Sequence, residues 1–290
     1  MIPWFPSKRL AFVAILTVIF MWHLLVAAST HFAHAAEHKP IRWLFNGPGL
    51  AAIAADANAS RFLDNSEPFI MTGRNVGTIP PNWQAIPFAS FTGFLAIKSA
   101  LKVGTLAHDA EGIIYDNENW QFTPVEEQQN PAHYEKLAAD LVRAHGLLFL
   151  TAPGVDLVTV LAPENRTTPY DAYLRQGIAA DAARYADVVD IQAQGSERDT
   201  TFYANFVVQA AAQARQANPN VLVLAGISTN PSGQQVTPMI YFAPSPPHAT
   251  ASTAIGSVFR RRPSIAQVVT ASARTSQSKC SVVLPHNNTR

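Results

Sequence analysis

Residues 112–151 read GIIYDNENWQFTPVEEQQNPAHYEKLAADLVRAHGLLFLT, and this stretch contains one complete repeat of the architecture. It opens on a short apolar run, crosses a polar segment into a helical pattern, and closes on a second apolar run, Leu147 to Thr151. Pro131 suits the first position of a helix, where its missing N–H has no partner to lose, and Gly146 suits the left-handed residue that ends one. Between them Tyr134, Leu137, Ala138 and Leu141 share one face at the 3.6-residue period. Parallel strands are buried on both faces and need a helical crossover, so this order predicts a β/α unit of a parallel sheet.

The same alternation extends in both directions. Candidate strands are Ile41 to Asn46, Phe69 to Thr72, Ala85 to Phe88, Gly112 to Asp116, Leu147 to Thr151, Val188 to Gln192 and Val221 to Ala225. A second clear helix carries Phe202, Phe206, Ala210 and Ala214 at every fourth position before Pro219 stops it. No Gly-x-Gly-x-x-Gly turn follows the first strand, and Gly47-Pro48-Gly49 does not supply one. The expected fold class is therefore α/β, a TIM (β/α)8-like barrel rather than a doubly wound sheet. With seven strands readable, it is expected to be incomplete at its C-terminus, leaving two open edges.

Composition narrows the function classes. The 290 residues are 48% apolar and 10% aromatic, with 21 Lys and Arg against 20 Asp and Glu and a single Cys, which excludes a disordered chain, a disulfide scaffold and a thiolate metal site. A net charge of +1 gives no field for steering toward nucleic acid, so no nucleic-acid partner is expected.

That balance conceals three unlike segments. In residues 1–35 only Lys8 and Arg9 are charged; they precede an apolar stretch from Leu10 to Ala28 and an Ala33-His34-Ala35 motif suited to signal peptidase. A cleaved secretory signal with Ala36 as mature start is expected, hence a secreted protein with no stable membrane association afterwards; an uncleaved anchor is the competing reading. Cleavage there would separate His31 and His34 from His38, so their spacing marks no metal site. The body, 36–238, is mildly acidic and forms the barrel domain. Residues 239–290 hold Arg260, Arg261, Arg262, Arg274, Lys279 and Arg290 with no acid at all, and their periodicity is lost. This tail reads as an irregular or disordered extension, or as the product of a reading-frame shift near Thr237. In the shifted frame Asp-Asp-Ile-Leu-Arg-Ala becomes writable after Pro238, and Thr253 to Ser257 can be reread as Gly-Tyr-Trp-Phe, a candidate for the missing strand.

The chemistry-bearing stretch is Glu111-Gly-Ile-Ile-Tyr-Asp-Asn-Glu118. A strand sends alternate side chains to one face, so Ile114, Asp116 and Glu118 are expected to point into the barrel, the two acids about 7 Å apart at its C-terminal mouth. Carboxyls this close do not ionise independently, which suits a general acid beside an ionised partner. Trp120 could stack on a sugar ring or simply pack its loop. Arg74 and Asn75 follow the second strand and Asn46 ends the first, on the same rim. Past the sixth strand, Glu197 or Asp199 offers a second acid, whose distance from Glu118 would separate retention from inversion.

The octapeptide resembles the fourth strand of glycoside hydrolase family 18, the chitinases and related endo-N-acetylglucosaminidases, which reads Asp-Gly-apolar-Asp-apolar-Asp-x-Glu. Glu111, Gly112, Ile113, Asp116 and Glu118 fit it, while Ile114 stands where the family has another Asp of its proton relay. The resemblance implies that Glu118 protonates the glycosidic oxygen and Asp116 orients the acetamido group that attacks the anomeric carbon. In place of the family's Met-x-Tyr-Asp at the end of the sixth strand this chain has Gln192, Gln194 and Gly195, and Gln194 could donate the hydrogen bond of the absent tyrosine. The likeness covers roughly residues 41–229, and nearly the whole body is also similar to a group of bacterial secreted proteins without an assigned activity.

No phosphate loop, His-Glu-x-x-His or Gly-x-Ser-x-Gly is present, so no metal or other cofactor is called for, and kinase, zincin and α/β-hydrolase readings lack support. Asn58-Ala-Ser60 and Asn165-Arg-Thr167 match glycosylation acceptors but decide nothing. The sequence thus points to a glycoside hydrolase-like enzyme on an extracellular polysaccharide or oligosaccharide, N-acetylated if the resemblance extends to the substrate, with Glu118 and Asp116 catalytic and Trp120, Arg74, Asn46, Gln192, Gln194 and Glu197 around the substrate. The alternative is a catalytically inactive carbohydrate-binding barrel, kept open by Ile114 and Gln194.

Overall fold

A computed structural model describes residues 42–47, 50–51, 67–72, 79, 83–228 and 279–283. The signal segment, Arg74, Asn75, the residues around Thr237 and the Thr253–Ser257 stretch lie outside them. Seven parallel strands, β1 (Trp43–Phe45), β2 (Phe69–Thr72), β3 (Ile86–Phe91), β4 (Gly112–Tyr115), β5 (Leu148–Thr151), β6 (Val188–Ile191) and β7 (Leu222–Ser228), pair in chain order. The chain is an α/β TIM-like barrel, with its strands where the apolar runs place them.

The interior is filled by alternate residues, among them Leu44, Phe69, Phe88, Ile114, Leu150, Val188 and Leu224. Their neighbours Phe45, Ile70, Ile113, Tyr115, Phe149, Val189 and Val223 pack outward against the helices. Both faces of each strand are therefore buried, which is why the strands read as continuous apolar runs.

The described helices are α1 (Phe94–Val103), α2 (Val125–Gln129), α3 (Pro131–Ala144), α4 (Val158–Leu161), α5 (Pro169–Gln176), α6 (Ile178–Ala183) and α7 (Thr200–Ala217). Pro131 opens α3 as expected, and Gly146 just beyond it has φ 71°. The buried face of α3 is rotated by about one residue from the expected one: Glu135, Ala138, Ala139 and Val142 are buried, while Tyr134, Leu137 and Leu141 are half-buried. The reason is polar. Glu135 turns inward, where its Oε1 accepts from the Thr151 hydroxyl at 3.1 Å. In α7 the expected Phe206, Ala210 and Ala214 are buried, and Asp199 caps the helix by accepting from the N–H groups of Thr201 and Phe202.

Among the described residues there is no eighth parallel strand, yet the barrel is closed. Lys279–Val283, from the acid-free tail, forms β8 and runs antiparallel to both β1 and β7, with Phe45↔Cys280 on one side and Ile227↔Cys280 on the other. Left alone, the edges of β1 and β7 would expose rows of unpaired backbone groups, and this short segment, which ends in two β-branched residues, pairs with both. Among the described residues no helix is long and apolar enough to cross a membrane.

Candidate functional site at the C-terminal mouth

The alternation of β4 carries past its last paired residue. Tyr115 faces outward, where its hydroxyl donates to Glu127 Oε2 at 2.6 Å, and Asp116 turns to the mouth. The Asp116 amide still bonds Phe91 O at 2.8 Å, so this side chain stands on regular backbone. Gln192, two residues beyond inward Asp190 on β6, donates from Nε2 to Asp116 Oδ1 at 3.0 Å and to Ala152 O at 2.8 Å. One amide thus ties the ends of β4, β5 and β6 together.

Glu118 is held by different neighbours. Its Cγ lies 3.0 Å from where a β-carbon on Gly154 would sit, and Asp156 Oδ1 lies 2.4 Å from the same point. Glu118 is half-buried, and its Oε1 is shut off from solvent with no hydrogen-bond partner among the described residues. Asp116 and Glu118 both reach the C-terminal end of the barrel, the first fixed from β6 and the second lodged against the loop after β5.

The remaining expected residues divide by role. Trp120 is locked in its own loop: Nε1 donates to Thr123 Oγ1 at 2.8 Å, its carbonyl accepts from Gln128, and its ring meets Phe122 edge-on at 5.1 Å. These contacts fix the indole within its loop. Gln194 lays its amide on β7, with Nε2 2.4 Å from the position of a Gly226 β-carbon, so only glycine leaves it that place. Glu197 is buried and accepts the Ser228 N–H at 2.5 Å, which fastens the β6 loop to the end of β7. Asp199, the other candidate second acid, is occupied as the cap of α7. Asn46 is half-buried at the end of β1, its carbonyl accepting from Leu50 N at 2.8 Å.

Asp190 is the inward acid that the motif reading passed over. The pairs Tyr115↔Thr151 and Thr151↔Val189 put Asp116, Ala152 and Asp190 next in register, so two carboxylates flank one alanine. Asp190 is buried. Its signal was available in the period: Val188, Asp190 and Gln192 share a face as Ile114, Asp116 and Glu118 do.

Behind the mouth, between barrel and helices, lies a second polar layer. Glu127 accepts from Phe94 N at 2.8 Å as well as from Tyr115, and Asn117 donates to Tyr115 Oη at 3.3 Å and to Glu127 O at 3.2 Å. Burial pushes the Glu135 carboxyl up to about 8, against the Thr151 hydroxyl, which pulls it down, and Asp181 adds to the rise. Burial likewise raises the Tyr173 hydroxyl, helped by the charges of Glu135 and Asp190. Among the described residues no group of three or more His, Cys, Asp or Glu could hold a metal ion. Compared with protein-family models, with curated proteins and with solved structures, the chain matches none.

Proposed function

We propose that this chain is a secreted glycoside hydrolase-like barrel acting on an extracellular polysaccharide, with Glu118 as the acid and Asp116 as its partner. The observation that carries this reading is the buried Glu118 Oε1, which takes no hydrogen bond from any of the described residues although the backbone on both sides of it is pinned. A buried oxygen left unsatisfied costs about 1–3 kcal/mol, so it calls for a reason, and delivery of a proton to a ligand oxygen is one. In the reaction the Glu118 proton passes to the glycosidic oxygen as its bond to the anomeric carbon breaks. Water then supplies the new hydroxyl and returns a proton to Glu118. Asp116, oriented by Gln192, stabilises the positive charge that develops at the anomeric centre, or on an N-acetylated sugar aligns the acetamido group. Asp190 adds a second inward carboxylate beside it.

The other reading, a silent carbohydrate-binding barrel, draws on Ile114, which stands where the resembled family has an acid, and on Gln194, whose amide both donates and accepts and so suits sugar hydroxyls. Reducing-end release from glycol chitin, a soluble N-acetylhexosamine polymer, discriminates the two. Catalysis requires turnover by the wild type that Glu118→Gln abolishes; binding without turnover supports the silent barrel. Turnover that survives Glu118→Gln would overturn the assignment of the acid. Secretion rests on Lys8, Arg9 and the Leu10 to Ala28 stretch, and an exported chain whose N-terminus is Ala36 would support it.

A further inference from the structure

The loops that follow β4 and β5 are joined along their length, and the join brackets one residue. Gly154 N donates to Asn117 O at 2.8 Å, and Asn119 N donates to Asp156 Oδ1 at 3.0 Å, so Glu118 has a hydrogen bond to the β5 loop on either side. The Asn119 side chain continues the join by donating to Thr159 Oγ1 at 2.5 Å, and that hydroxyl donates back to Asp156 O at 2.8 Å. Inside the bracket, Glu118 Cγ, Glu118 Cα and Asp156 Oδ1 stand 3.0, 3.3 and 2.4 Å from the β-carbon position of Gly154. Gly154 has φ −65° and ψ 143°, a conformation open to any residue. Space, not backbone freedom, is what glycine provides here.

We propose that Asp156 is the positioning residue for Glu118: through the Asn119 amide, and with Gly154 leaving the slot, it sets where the Glu118 carboxyl stands in the mouth. This rests on the reading of Glu118 as the acid. Asp156 is exposed on its outer side, so its replacement leaves the core intact, and its Oδ1 acts as a hydrogen-bond acceptor that an asparagine oxygen can reproduce. A displacement of an acid by about 1 Å can cost on the order of 100-fold in rate.

The experiment compares Asp156→Ala with Asp156→Asn in the full chain. On glycol chitin, Asp156→Ala is expected to lower kcat about 10-fold or more with KM little changed, and Asp156→Asn to restore it to within about 2-fold. A merely structural role would not separate kcat from KM or be rescued by the amide. Wild-type kcat in Asp156→Ala, or equal loss in both variants, would overturn the proposal. Should the wild type turn over no substrate, the reading of Glu118 as the acid fails, and amide hydrogen exchange at residues 117–119 still tests the geometry. Exchange faster in Asp156→Ala than in Asp156→Asn supports the positioning; equal rates overturn it.

Discussion

Gln192 reaches from the end of β6 to Asp116 at the end of β4, its Nε2 donating to Oδ1 at 3.0 Å across 76 positions of sequence. The same nitrogen bonds Ala152 O on the intervening strand. The orientation of Asp116 therefore draws on three strands at once, and Gln192 is one of the groups that hold it. Gln192→Leu removes the donor at nearly constant size and is expected to lower kcat on glycol chitin about 10-fold. A charge-assisted hydrogen bond to a carboxylate contributes roughly 1.5–3 kcal/mol, which sets that scale. Activity equal to wild type would show that Asp116 needs no support from β6.

Glu135 makes a prediction that needs no substrate. In the folded chain its carboxyl is raised from 4.5 to about 8, so between those values the native state keeps a proton that the unfolded state has lost. The associated stability is fully present below about pH 4.5 and falls as pH rises, and it is gone once pH passes 8. Glu135→Gln keeps an oxygen for the Thr151 hydroxyl without the ionisation. Its unfolding free energy by urea titration is expected to match wild type at pH 4.5 and to exceed it at pH 9 by about 2–4 kcal/mol. Parallel profiles for the two proteins would contradict this.

Closure by β8 is testable through the backbone. Ser281 pairs with Leu44 on one side and Gly226 on the other, at the centre of an antiparallel strand with two neighbours. Proline there removes an N–H and clashes with regular pairing, so Ser281→Pro is expected to cost about 3 kcal/mol or more and to expose the β1 and β7 edges to aggregation. Thermal denaturation with light scattering reads both effects. An unchanged midpoint would mean that Lys279–Val283 does not contribute to barrel stability.

The acids of the mouth were legible to different degrees. Asp116 follows from the two-residue period of β4, because alternation is local and survives without knowledge of the partner strands, whereas Glu118 stands three residues past the end of β4 and is placed by the loop after β5. Asp190 obeys the same rule on β6 but lacks a motif around it. Trp120 could not be assigned from its type: a tryptophan before Thr123 and Gln128 acquires its role from the hydrogen bonds those residues make with it. The face of α3 shows the same limit, since the apolar period points to Tyr134 and Leu137 while the Thr151 hydroxyl draws Glu135 inward.

What the amino-acid order determined by itself is the series of short apolar runs separated by helices, hence a parallel barrel, and the side of β4 to which Asp116 turns. Those are consequences of hydrophobic burial and of the period of a strand, both local. Only the tertiary structure decided that Gln192 holds Asp116, that Glu118 lodges between Gly154 and Asp156, and that a distant antiparallel segment closes the ring. Each of these depends on the register between strands far apart in sequence, and register is set by the packing of the whole barrel interior.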